Sequence, residues 1–204
     1  MSDIILHKAF KHLSNDKVMN YLINIFSDKI DWGNRFDIDN AKSIANLIIE
    51  QQISFKAAIT VKKRFSSLII NKSNLEILAL PNHEIQSVGI SHRKAQYIKN
   101  IYQFFQNNYI DFKEMSDQEV IDSLTKIKGI GEWTAQMFLI FNLFRQNIFS
   151  KKDLALINSI KINYNAHSLG KTKLDKLIKL WSPYNSIACL LLWESVENKI
   201  FYKA

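Results

Sequence analysis

The chain is poor in the residues that stapled, loop-rich or membrane-embedded folds need. One cysteine in 204 residues, Cys189, excludes an internal disulfide framework and any four-cysteine zinc or iron–sulfur site. Two prolines and five glycines are few for a β-sandwich or barrel, which needs turn residues at roughly every eight to twelve positions. The longest apolar runs, 137–141 and 187–193, fall well short of the roughly 18 residues that cross a bilayer. The amino-terminal stretch MSDIILHKAFKHLSND has no apolar segment followed by small residues, so no secretory signal is expected. The expectation is a monomer in an intracellular, reducing compartment, cytoplasm and nucleoid or nucleus, with no membrane partner.

What is present suits a helical fold. Hydrophobic residues make up 47% of the chain and aromatics 12%, enough to fill a sizeable core. A formal charge of +8 favours a polyanionic partner, because clustered Lys and Arg gain affinity by releasing counterions condensed on nucleic acid.

Taken in order, the apolar spacing predicts a first helix over 16–26 capped by Asn15, a polar connection around Gly33, and a second helix from Ala41 that stops at 50–54. Ser54 caps the next helix, Leu80-Pro81-Asn82 opens a short one ending at Gly89, and 94–105 resumes the pattern. Ser116 and Glu119 fit a capping box before a helix through Leu124 and Ile127. The helix from Thr134 to about Phe144 is apolar nearly all round and is expected to be buried. Further helices follow Asp153, include Leu174 and Trp181, and start at Ser182-Pro183. No strand is predicted, so the fold class is all-α. VGISHRKAQYI and GIGEWTAQMF share a layout of turn, small residue and apolar helix, a faint internal repeat.

The second of these turns carries the most chemistry. In Lys128-Gly129-Ile130-Gly131-Glu132 the glycines permit a tight turn into a helix whose first amides lack intrahelical partners. Such amides, at the positive end of the helix dipole, can hold a phosphate oxygen without reading sequence, and Ile130 can pin the turn to the core. An ordinary tight turn would look the same in isolation. Flanking Lys126, Lys128, Leu124, Ile127 and Thr134-Ala135 favour the phosphate reading.

With these residues in view, the sequence resembles the helix-hairpin-helix superfamily of DNA glycosylases, in its 3-methyladenine DNA glycosylase II branch. Five collinear blocks carry the resemblance: IIEQQISFKAA, VGISHRKAQYI, IKGIGEWTAQMFLIF, IFSKKDLAL and WSPYNSIACLLLW. It implies a single glycosylase unit over 1–204 of two helical lobes, 1–35 with 151–204 and 36–150, and an active site in the cleft between them. The hairpin itself spans 124–144. The β domain of longer family members has no counterpart here.

The resemblance implies that Asp153 is the catalytic carboxylate. An ionised carboxylate stabilises the positive charge that develops on a sugar as its glycosidic bond breaks. By itself Asp153 reads more readily as an N-cap, the hairpin upstream and the family spacing favour catalysis, and both roles can coexist. Lys151-Lys152 replaces the proline or glycine more usual in the family. Trp133 stands where lyase-type relatives have a Schiff-base lysine, which implies a monofunctional enzyme using water. Trp133, Met137 and Trp193 match positions near the base pocket, although a core tryptophan is nearly as good a reading of Trp193. Lys128, Gly129, Ile130, Gly131, Thr134, Gln51, Gln52, His92 and Arg93 are the candidate DNA contacts; Gln51 and Gln52 stand where relatives put residues into the gap that a flipped base leaves, and read equally well as a polar helix terminus. The expected partner is double-stranded DNA with damaged bases, alkylated purines such as 3-methyladenine and 7-methylguanine. No cofactor and no metal is expected, with a monovalent cation at the hairpin carbonyls left open. The alternative is a non-catalytic DNA-binding protein of the same fold, and Asp153 separates the two.

Overall fold

The computed structural model describes residues 2–166 and 169–203. Among these it contains helices and turns and no strand. In chain order the helices are α1 (Ser2–Leu13), α2 (Lys17–Phe26), α3 (Asn40–Glu50), α4 (Phe55–Ile69), α5 (Asn74–Ala79), α6 (Asn82–Ser87), α7 (His92–Asn107), α8 (Asp117–Thr125), α9 (Glu132–Phe141), α10 (Leu154–Asn163), α11 (Lys171–Trp181) and α12 (Asn185–Glu197).

Local chemistry sets most of the boundaries. Asp16, Asp39, Ser54, Ser73, Ser91, Ser116 and Asp153 cap α2, α3, α4, α5, α7, α8 and α10, each accepting from an amide of the first turn. The Ser116/Glu119 capping box is formed, and a second one, Ser73/Glu76, starts α5. Three expectations need correction. The first helix lies before residue 16 and was not anticipated, and the second is capped by Asp16, whose Oδ1 accepts from the Val18 and Met19 amides, not by Asn15. The last helix begins at Asn185, because the Tyr184 amide is spent on a turn to the Trp181 carbonyl.

The chain divides into two compact units, Met1–Arg35 with Phe144–Ala204, and Phe36–Leu143. The boundary expected at 150 therefore falls earlier. Residues 145–148 are held by α12: the Ser186 amide donates to the Gln146 carbonyl at 2.9 Å, the Ile148 amide to Ser186 Oγ at 3.0 Å, and Asn185 Nδ2 to Asn147 Oδ1 at 2.6 Å.

In the second unit α3 packs on α4, α7 and α9, while α7 also holds α5 and α6. Thr134, Ala135 and the whole run 137–141 of α9 are buried, as a helix apolar on all faces requires. In the first unit α12 is central, against α1, α2, α10 and α11. A buried polar cluster registers α10 on α12: Ser159 Oγ donates to the Leu192 carbonyl (2.9 Å) and Asn163 Nδ2 to Ser195 Oγ (2.9 Å). Asn163 Oδ1 also accepts the Tyr202 amide at 2.8 Å. Tyr164 donates to Asp16 Oδ2 at 2.8 Å, tying the end of α10 to the start of α2.

Removing the Asn163 amide would take the acceptor from the Tyr202 amide and a donor from the Ser159 and Ser195 hydroxyls. Asn163→Leu is expected to lower stability by roughly 1–3 kcal/mol, read as a lower urea midpoint with an unchanged slope.

Candidate functional site

Two helix–turn–helix segments of the second unit end their turns in the same way and part at the N-cap. In the first, residues 88–91 join α6 to α7; in the second, residues 126–131 join α8 to α9. Each turn has a glycine at positive φ, Gly89 at 101° and Gly129 at 109°, followed by a buried isoleucine, Ile90 or Ile130, and then the N-cap of the next helix. The N-cap is where they part. Ser91 turns its hydroxyl onto the Lys94 amide (3.4 Å), whereas Gly131 has no side chain to do so, and a Cβ there would meet nothing within 4 Å. The start of α9 thus has no side-chain cap and has the helix dipole behind it, a setting that favours an anion.

The first segment braces the second. Tyr97 of α7 occupies the space beside Gly129, where an added Cβ would come within 2.2 Å of its ring. Asn100, also on α7, donates to the Lys128 carbonyl at 2.9 Å. One of the carbonyls that could face a cation therefore already has a donor. Lys126 and Lys128 are exposed on this turn.

The 51–53 turn after α3 adjoins the start of α9. Gln51 Nε2 donates to Thr134 Oγ1 at 3.0 Å, while Gln52 is exposed with φ at 59°, a left-handed conformation unusual for a residue with a Cβ.

Asp153 lies in the first unit, at the start of α10. It is only 7% exposed, and Oδ1 accepts the Leu156 amide at 2.9 Å. Its turn is closed by the Asp153 amide donating to the Ser150 carbonyl at 3.2 Å. Lys151 of that turn is anchored to Asp175 of α11 at 2.7 Å, and this bond holds the Asp175 carboxyl below its usual range. Behind Asp153, burial first and the negative charge of Asp153 second push the Cys189 thiol well up. The thiol stays protonated and plays no nucleophilic part.

Residues 45–183 match the HhH-GPD superfamily of base excision DNA repair proteins. The chain belongs to this superfamily. It is 31% identical over 162 residues to the YfjP protein of Bacillus subtilis, covering 74% of this chain and 56% of that one. It is 30% identical over 190 residues to the DNA-3-methyladenine glycosylase of Saccharomyces cerevisiae, covering 74% and 64%. The chain thus spans less than two thirds of the length of either relative. Among solved structures, the 3-methyladenine DNA glycosylase Mag1 of Schizosaccharomyces pombe, in complex with abasic DNA, superposes with a TM-score of 0.80 at 27% identity, over 93% of this chain and 97% of that one.

Several superfamily candidates have structural duties. Thr134 is 1% exposed and its hydroxyl accepts from Gln51, so Thr134 is held inside the fold, while Gln51 is half-buried with its amide nitrogen engaged. Met137 is 1% exposed within the buried run of α9, while Trp133 and Trp193 are half-buried. His92 and Arg93 are exposed on the first turn of α7, with the Arg93 guanidinium 5.8 Å from the Tyr97 ring centre. Sequence reasoning missed Tyr97 and Asn100, the braces of the hairpin. Their only signal is spacing, three residues apart on a helix whose turn repeats the hairpin.

The charge distribution also departs from the simplest expectation. The unit with the hairpin has twelve Lys and Arg against eleven Asp and Glu, nearly balanced. The unit with Asp153 has fifteen against eight and carries most of the surplus. Within the second unit, backbone amides and a few local lysines must therefore supply the attraction for an anion.

The two hairpin glycines are not equivalent. Gly129→Ala must place a Cβ against Tyr97 at a left-handed φ and is expected to lower stability by at least about 1–2 kcal/mol. Gly131→Ala meets open space and should leave the melting temperature within roughly 2 °C of the parent.

Proposed function

We propose that the protein is a monofunctional DNA glycosylase of base excision repair. It flips alkylated purines of the 3-methyladenine and 7-methylguanine type out of duplex DNA and hydrolyses the N-glycosidic bond. The observation that carries this reading is Asp153: a nearly buried carboxylate at the head of a helix, with one oxygen fixed by capping, in the sequence block that aligns with the superfamily. Support also comes from the names of the relatives and from the abasic DNA in the Mag1 complex, since an abasic site is what such a reaction leaves.

The residues divide the work. The amides that open α9 after Gly131, with Lys128 beside them, hold a backbone phosphate and set the register on the duplex. Gln52, exposed at the tip of its turn, enters the gap left by the flipped base, and His92 and Arg93 add backbone contacts. A purine methylated at N3 or N7 is cationic, and the rings of Trp133 and Trp193 offer stacking and cation–π attraction to it.

Departure of the base puts positive charge on the sugar. Unit charges about 4 Å apart at an effective dielectric near 20 attract by roughly 4 kcal/mol, about three decades in rate. Asp153 supplies that attraction and orients the attacking water. The bond breaks towards the base, which leaves with its electron pair, and water adds to the anomeric carbon and loses a proton. Trp133 has no amine to form an imine with the opened sugar, so the strand stays intact.

Asn is as good an N-cap as Asp, so Asp153→Asn is expected to keep its fold and its DNA affinity while base release from methylated duplex falls by about a thousandfold. Release is measured by mass analysis of the freed bases, and equal release by variant and parent would remove Asp153 from the reaction. Borohydride added during turnover should trap no covalent protein–DNA adduct. A stable adduct on denaturing gels would replace the hydrolytic mechanism with lyase chemistry.

A further inference from the structure

We propose that Lys94 is a positioning residue for Gln52, holding the 51–53 turn in the conformation that presents the gap-filling side chain. The proposal rests on the glycosylase reading and adds to it a residue outside the hairpin and the reacting centre. Lys94 stands in the first turn of α7, next to His92 and Arg93, but behaves unlike them. Those two are exposed, whereas Lys94 is half-buried and its ammonium donates to the carbonyl of Ile49, at 2.9 Å, and to that of Gln51. Among the described residues it forms no ion pair, so its charge is directed to backbone oxygens alone.

Those oxygens matter because of where α3 stops. The last carbonyls of a helix have no intrahelical partners and carry the negative end of its dipole. Beyond Glu50 the chain leaves the helix at Gln51 and turns at Gln52 with φ at 59°. A glutamine in that region is strained unless its surroundings hold it. Two holds fall on the residue just before the strained one: the Gln51 side chain tied to Thr134, and the Gln51 carbonyl, which belongs to the peptide of the Gln52 amide, tied to Lys94. Removing the ammonium would free the carbonyls that define the turn. Burial lowers the Lys94 pKa, the cost of drawing the cation out of water to this position.

Filling a gap in a stacked duplex needs a side chain on a stiff base, because ordering a loose turn at that moment would subtract from binding. The need exists only in duplex DNA. Lys94→Met keeps the stem and removes the ammonium. It is expected to slow single-turnover release of an alkylated base from duplex by about tenfold or more while leaving release from the same oligonucleotide, single-stranded, within about twofold. Gln52→Gly should give the same pattern, the double variant should be no worse than either single one, and Lys94→Arg should recover most of the duplex rate. In the free protein, hydrogen exchange at residues 51–53 should quicken in Lys94→Met. Equal losses on both substrates, or an unchanged duplex rate, would overturn the proposal. If the parent releases no base from either substrate, the glycosylase reading fails. Exchange at 51–53 then still decides whether Lys94 holds the turn: unchanged exchange overturns it and faster exchange sustains it.

Discussion

The second unit is organised by a missing methyl group. Gly129 has no Cβ, and the Tyr97 ring occupies the space that one would fill. That contact lets one helix–turn–helix lie directly against another, with Asn100 fastening the Lys128 carbonyl from the same helix. Everything the hairpin offers depends on this brace. Ile130 can be buried, the turn can be tight, and α9 can start without a side-chain cap because the chain before it is fixed. The sister turn shows what the site would be without specialisation: the same positive-φ glycine, the same buried isoleucine, and a serine that satisfies its own helix. Replacing a serine with a glycine at the N-cap removes the side-chain cap from the helix, at a cost of a few tenths of a kcal/mol by the usual capping scale.

The first unit solves a different problem, which is keeping one carboxylate still. Asp153 cannot be held by the exposed Lys151-Lys152 turn alone. Instead α10 is locked to α12 by the Ser159, Asn163 and Ser195 cluster and to α2 through Tyr164 and Asp16. Lys151 is drawn off to Asp175, so the turn is tethered to α11. An aspartate that caps its own helix has one oxygen committed and its rotamer fixed, which is what a group that must oppose a transient charge requires.

Several polar groups in this protein are used twice. The Gln51 side chain and carbonyl link α3 to α9 and α7, Asp153 caps and carries charge, and Asp16 caps α2 and accepts from Tyr164. The basic surplus lies in the unit of the carboxylate, whereas the hairpin unit is close to neutral. The overall charge of the chain is therefore a poor guide to where the hairpin lies.

The sequence by itself determined whatever follows from local periodicity and capping. The helical class, the buried α9, the Ser54 and Ser116 caps, the hairpin turn and the N-cap position of Asp153 are all short-range consequences of side-chain type and spacing. It did not disclose α1, whose few apolar residues acquire meaning only against α2 and α12. Nor did it separate Gln51 from Gln52 or Thr134 from Gly131. Those pairs look alike in a string of letters, and only long-range contacts decide which member is consumed inside the fold. Tertiary structure alone assigned Tyr97, Asn100 and Lys94 their partners, because a hydrogen bond to a distant carbonyl leaves no trace in spacing.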